Sequence, residues 1–180
     1  MSKSSPTPHN HDFSCVPFKK KGFYFGMTIP FLLVSLGILI FLGVTNVWLA
    51  LLYLYLYLHT SFFQAFCCVH QECPYIGGFC PAVIGILPAP YIAKWLKSTL
   101  KLPLSKKKFD FVINVAFIGF LGFIFLPIYW LFQAHFVVGI SYIIIVVVYL
   151  LVFGFYICPS CAIRDTCPGG KVHQLFKRQK

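Results

Sequence analysis

Acidic residues are scarce in this chain, whose 180 residues include only four Asp and Glu against 15 Lys and Arg. Asp110 stands at the start of a hydrophobic run, while Glu72 and Asp165 lie in cysteine-rich stretches. The sequence contains no carboxylate pair, Gly-rich phosphate loop or zincin motif, so conventional hydrolytic catalysis has no support. The lack of acids inside the hydrophobic runs argues against proton- or cation-coupled transport. With only two Met, a copper(I) pathway is also disfavoured.

Charge of either sign is missing from two long stretches, residues 22–71 and 111–163. The chain is 59% hydrophobic and 11% charged, which is less than half of the roughly 25% charge of a soluble domain. A bilayer core of about 30 Å takes roughly 20 helical residues, so each stretch fits two crossings. The sequence therefore predicts an all-α integral membrane protein: a bundle of four transmembrane helices, built from two helical hairpins.

Polar turn formers divide each uncharged stretch, at Asn46 in the first and near His135 in the second. The predicted helices are Phe23–Val44, Val47–Cys68, Phe111–Phe132 and Phe136–Ile157. Pro30 and Pro127 fall inside two of them, where neighbouring helices can satisfy the freed backbone groups. The corresponding segments are a polar, basic N-terminal segment without a signal-peptide core (1–22), hairpin 1 (23–68), a Cys/Pro-rich loop with an interfacial helix (69–108), hairpin 2 (109–157) and a Cys-rich basic tail (158–180).

The basic residues predict the direction of the crossings. With four crossings, all 15 Lys and Arg fall in the N-terminal segment, the loop between the hairpins and the C-terminal tail, which share one side. Loops rich in Lys and Arg stay cytoplasmic, so we expect a multi-pass protein of the cell membrane with both termini inside. A fifth crossing through Cys73–Ala93 would scatter the charges, and the Pro and Gly residues there favour an irregular or re-entrant segment.

The stretch Tyr91–Leu102 predicts a helix that lies on the cytoplasmic membrane surface. Its basic side carries Lys94, Lys97 and Lys101, and its lipid-facing side carries Ile92, Trp95 and Leu96. This helix and the net charge of +11 indicate attraction to anionic lipid headgroups. The same charge gives no reason to expect nucleic-acid binding.

Cysteine is the one reactive residue type present in excess, with eight copies. Seven lie in two clusters, which span residues 67–80 and 158–167, and Cys15 precedes the first helix. On the predicted topology all eight face the reducing cytoplasm. Closely spaced cysteines there indicate metal ligands or catalytic thiols rather than structural disulfides.

A shared metal centre is the favoured interpretation of the two clusters. Four thiolates complete a tetrahedral Zn site or an iron–sulfur cluster, and Cys158-x2-Cys161 provides a two-ligand bite of suitable size. The predicted ligands are Cys73, Cys80, Cys158, Cys161 and Cys167, with Cys67, Cys68, His70 and His173 as secondary candidates. Cys67 and Cys68 are equally well explained as small apolar residues at a helix end.

The identity of the metal stays open at this stage. Cys followed by Pro also ends the cysteine run of bacterial ferredoxins, whereas flanking His residues suit Zn equally well. An iron–sulfur centre predicts membrane-associated electron transfer to a redox protein or to quinone. A Zn site instead predicts a scaffold, an assembly protein or a subunit of a larger membrane complex. If the topology were inverted, a quinone-linked thiol–disulfide oxidoreductase would fit; no catalytic residue is assigned in any of these readings.

The two halves of the chain resemble each other in layout. A triple lysine, Lys19–Lys21 or Lys106–Lys108, precedes each hairpin, and each hairpin is followed by a cluster that closes on Cys-Pro at the same distance. This favours an internal duplication of the kind common in membrane proteins, although topology alone can place lysines there.

His59 lies within the second predicted helix and is therefore a candidate for function. A haem commonly needs a second axial ligand, and His135 falls at the opposite end of the bundle. We therefore expect His59 to be a hydrogen-bonded residue of the bundle.

Overall fold

A computed structural model describes residues 20–70, 73, 88–99 and 106–160, and almost all of them are helical. The elements are α1 (Lys21–Thr45), α2 (Val47–His70), α3 (Pro88–Thr99), α4 (Lys106–Ala134) and α5 (Phe136–Val152), which continues as a π-helical turn (Phe153–Ile157) and a 3-10 turn (Cys158–Ser160). Four of these helices, α1, α2, α4 and the continuous α5 unit, are long and apolar enough to span a membrane. The prediction of a multi-pass four-helix protein is confirmed.

The observed helix bounds differ from the predicted ones mainly at the starts of α3 and α4, which contain proline and lysine residues. Helix α4 begins at Lys106, five residues before the predicted start at Phe111, and α2 ends at His70, two residues after the predicted end at Cys68. Lysine is a good helix former, and its long side chain can extend from a membrane helix into water, so three lysines do not end the helix. Helix α3 begins at Pro88, three residues before the predicted start, and Thr99 is its last described residue.

Each hairpin turns around one residue in extended conformation. Asn46 Oδ1 accepts a hydrogen bond from the Trp48 backbone N–H at 2.9 Å. His135 Nδ1 accepts one from the Val137 backbone N–H at 3.3 Å. Each side chain therefore caps the helix that follows it, which explains why these two polar residues interrupt otherwise apolar runs.

The four long helices form a ring in the order α1, α2, α4, α5. Helix α2 has its most extensive contact with α4, α4 packs on α5, and α1 packs on α2 and more loosely on α5. Aromatic side chains close the loose side, where the rings of Phe31 and Tyr149 stack at 4.1 Å. Lys20 Nζ donates to the Tyr156 carbonyl at 3.4 Å, which joins the start of α1 to the end of α5. We call this end, where α1 and α4 begin and α2 ends, the basic end, and the opposite end the turn end.

A hydrogen bond from α5 reaches α4 in the turn that precedes a proline. Pro127 lacks an N–H and weakens the preceding helical turn. The Tyr142 hydroxyl of α5 donates to the Ile124 carbonyl in that turn at 3.0 Å. The carbonyl that Pro127 leaves without its helical partner is that of Phe123, one residue earlier, so the expectation that a neighbouring helix satisfies the freed group stays a prediction.

Helix α3 packs against the final turns of α2. Ala93 and Leu96 are buried against Ala65 and Val69 of α2. The expectation that Leu96 faces lipid is therefore wrong, because this side chain instead covers the small Ala65 surface of α2. Trp95 is exposed, as expected.

Candidate functional site

Four described cysteines lie at the basic end of the bundle. Cys67 and Cys68 belong to the last turn of α2, and Cys158 begins the turn that follows α5. The backbone N–H of Cys73 donates to the Cys68 carbonyl at 3.0 Å, so Cys73 lies against the last turn of α2. Cys73 is buried there and only 2% exposed.

The two hairpins bring thiols to the same apolar cluster of the bundle. The described residues alone do not form a set of metal ligands. Cys73 belongs to the central apolar cluster, and Cys68 and Cys158 pack against the same cluster. Within the described ranges, no three His, Cys, Asp or Glu side chains come together as a metal site. The predicted ligands Cys80, Cys161 and Cys167, and the secondary candidate His173, lie outside the described residues. The complete ligand set therefore remains a prediction.

His70, another secondary candidate, takes part in the contact between α2 and α4. Its ring stacks on the ring of Phe109 with centroids 4.1 Å apart. The ring is half-buried at the last residue of α2. This contact gives His70 a packing role that the sequence did not reveal.

Sequence reasoning missed a layer of buried oxygen atoms between the helices. Ser61 Oγ and Gln64 Oε1 are buried and have no hydrogen-bond partner among the described residues, and the buried Thr28 Oγ1 lies within reach of the Tyr149 hydroxyl. A Cβ at Gly43 would lie 3.7 Å from the Cβ of Ala50, which sets the register of the first hairpin. Helices α1 and α2 are antiparallel, so positions at equal distances from the Gly43–Ala50 contact lie at the same height. Thr28 on α1 is therefore level with the turn of α2 that holds Ser61 and Gln64. Such a layer has the donors and acceptors that ordered water needs inside a bundle.

His59 lies at the contact between α2 and α4, beside Gly119. A Cβ at position 119 would overlap the imidazole ring at Nδ1 and would approach Cε1 to 2.8 Å. Nδ1 is buried and has no hydrogen-bond partner in the described part of the chain. The expectation of a hydrogen-bonded His59 is therefore wrong for this nitrogen, because this side of the ring faces a glycine, which has no side chain to bond it. The Phe63 ring packs against the imidazole with centroids 4.6 Å apart.

A groove of about 320 Å³ opens between α1 and α5 beside Pro30. Its walls are almost entirely apolar and include Val34, Ile144 and Val148. An acyl chain or another hydrocarbon group matches this lining.

Comparisons of this chain with family models, curated proteins and solved structures find no match.

Proposed function

We propose that this multi-pass protein carries a cysteine-ligated metal centre at the cytoplasmic face and takes part in membrane-associated electron transfer. The supporting observation is that both hairpins contribute cysteines to the same end of the bundle. Cys68 and Cys73 come from the end of the first hairpin and Cys158 from the end of the second, and all three contact one core. A centre at this position would join two parts of the chain that are distant in sequence.

Chain length supports the remaining ligands. Cys161 is three residues beyond Cys158, so its Cα lies within about 10 Å of it. By the same reasoning Cys167 stays within about 30 Å of Cys158, and Cys80 within about 25 Å of Cys73. The five primary candidates therefore all have access to the basic end, although the described thiols alone do not fit a closed site. A bound iron–sulfur cluster would supply one-electron chemistry next to the membrane surface, accessible to a redox protein or a quinone.

A structural Zn site is the second candidate, and the burial of Cys73 favours it. A thiol that is 2% exposed within the apolar core is suited to joining the two hairpins. Zn²⁺ has no redox chemistry, and a closed four-ligand Zn site contributes directly to folding free energy. In this reading the protein serves as a scaffold, an assembly protein or a subunit of a larger membrane complex.

Metal analysis of anaerobically purified protein separates these candidates. We expect iron and acid-labile sulfide in stoichiometric amounts, a visible charge-transfer band and a paramagnetic signal after reduction. The variants Cys161→Ser and Cys167→Ser should lose the metal, whereas the control Cys15→Ser, which lies outside both clusters, should retain it. One Zn per chain without iron would replace electron transfer with the structural role. Protein that folds normally and binds neither metal would refute both.

Thiol labelling in intact cells tests the side of the membrane. We expect an impermeant reagent to leave Cys161 unlabelled until the cells are permeabilised, because the positively charged segments keep it cytoplasmic. Labelling of Cys161 in intact cells would invert the topology and would favour a quinone-linked thiol–disulfide oxidoreductase.

A further inference from the structure

The outward face of α2 carries polar side chains at the middle of the bilayer. Tyr55 is 59% exposed, and His59, one turn later, is partly exposed beside it, with ring centroids 5.6 Å apart. These two residues lie near the midpoint of α2, a helix of 24 residues. At the same depth, the exposed faces of the other three described spans are apolar, as at Leu33, Ile118 and Ile144.

Packing fixes the direction in which His59 can form a hydrogen bond. Nδ1 is the buried nitrogen and faces Gly119, so the exposed part of the ring is the edge that contains Nε2. A neutral imidazole carries one proton. Because Nδ1 has no partner in the described part of the chain, Nε2 is the nitrogen that can still form a hydrogen bond, as donor in one tautomer and as acceptor in the other.

A polar nitrogen that faces hydrocarbon is unfavourable unless another group supplies its hydrogen-bond partner. Hydrogen bonds between helices satisfy such groups in membrane proteins. The Tyr55 hydroxyl can both donate and accept a hydrogen bond. The same face therefore carries both the imidazole and a hydroxyl group that can pair with the imidazole of a second copy. Tyr55 and His59 of one chain occupy adjacent turns of the same face, with ring centroids 5.6 Å apart.

We propose that the protein forms a two-fold dimer in the membrane through the face of α2 that carries Tyr55 and His59. In a parallel pair of helices, each seam residue packs into a hole formed by four residues of the facing helix, so seam positions one turn apart come into contact. Tyr55 of each copy can therefore meet His59 of the other, and symmetry produces two hydrogen bonds between Nε2 and Oη. The surface is self-complementary, because each copy contributes one donor and one acceptor.

The neighbouring elements leave this face accessible. Helix α3 covers α2 around Ala65 and Val69, nearer the basic end. Leu52 and Trp48, on the side towards the turn end, are 43% and 74% exposed and extend the contact area. This dimer does not depend on the metal centre, so either proposal can fail without the other.

Dimerisation of the full chain in lipid vesicles tests the proposal, with energy transfer between donor- and acceptor-labelled copies as the measurement. We expect a dimer whose dissociation constant rises about tenfold in Tyr55→Phe and in His59→Phe, because each variant removes both interhelical hydrogen bonds. Tyr129→Phe is the matched control, since Tyr129 is a 62% exposed tyrosine on the lipid face of α4. It should leave the dissociation constant within about twofold of the wild-type value.

Tyr55→Phe also guards against misfolding, because it removes an oxygen atom from an exposed side chain and leaves the bundle packing in place. A wild-type chain that stays monomeric at all protein-to-lipid ratios would overturn the proposal. So would a dimer that neither variant weakens. Binding of a lipid-soluble quinone analogue to a monomer, lost in His59→Phe, would assign this face to a ligand and would also overturn the dimer.

Discussion

Substitution of Gly119 by alanine tests the close contact between α2 and α4. The added Cβ would overlap the His59 ring and would lie 3.4 Å from Thr60 Oγ1. The imidazole must then rotate towards lipid, or the two helices must separate. Since α2 and α4 form the most extensive helix pair of the bundle, we expect the variant to fold but to lose stability.

The magnitude follows from two opposing terms. Replacing a mid-helix glycine with alanine stabilises a helix by about 0.5–1 kcal/mol. Overpacking a tight contact costs about 1–3 kcal/mol. Gly37→Ala is the matched control, because a Cβ at that lipid-facing position of α1 meets nothing within 4 Å. We expect Gly119→Ala to be less stable than Gly37→Ala by about 1–3 kcal/mol, with the helix-propensity term cancelling.

Unfolding in mixed detergent micelles, followed by circular dichroism, measures this difference as a free energy of unfolding. In a His59→Ala background the imidazole is absent, so Gly119→Ala no longer produces an overlap. There the substitution should raise the free energy of unfolding by about as much as Gly37→Ala raises it in the wild-type protein. This rescue distinguishes a specific clash from a general intolerance of substitution. Equal stability of Gly119→Ala and Gly37→Ala would refute the contact.

Three further substitutions test other contacts in the same unfolding assay. Tyr142→Phe removes the hydrogen bond to the Ile124 carbonyl and should cost about 1 kcal/mol; unchanged stability would mean that this bond does not support the turn before Pro127. Asn46→Ala removes the cap of α2 and should cost about 1 kcal/mol, whereas Asn46→Ser should keep most of the stability; equal losses in the two variants would argue against capping. Gly139→Ala places a Cβ 2.7 Å from the Phe132 ring, so it should destabilise the second hairpin. Adding Phe132→Leu should restore part of the lost stability; a double variant as unstable as Gly139→Ala would argue against this contact.

Much of the fold could be predicted from the sequence, because membrane crossing depends on local properties. The uncharged stretches are long enough for two helices each, and Asn46 and His135 are polar turn formers within them. Both residues cap the following helix in the structure. The start of α4 was less predictable, because a lysine run is compatible with either a loop or a helical turn.

The candidate site was only partly predictable. Cysteine spacing points to Cys158 and Cys73 as ligands, and the structure places both in contact with one core. Spacing could not reveal that Nδ1 of His59 lacks a partner, because this depends on a glycine of another helix. Ser61 and Gln64 gave a usable signal, since two polar side chains in an uncharged apolar run indicate an interior or interfacial position.

The sequence by itself determined that this chain is a helical membrane protein with four spans and an excess of positive charge between and beyond its hairpins. Length, hydropathy and charge are summed along the chain, so they do not require knowledge of which helices touch. Only the tertiary structure decided how each helix is rotated about its axis, because lipid and bundle interior are both apolar and leave similar patterns in the sequence. That rotation buries Leu96 against α2, places His59 over Gly119 and leaves Tyr55 facing the membrane.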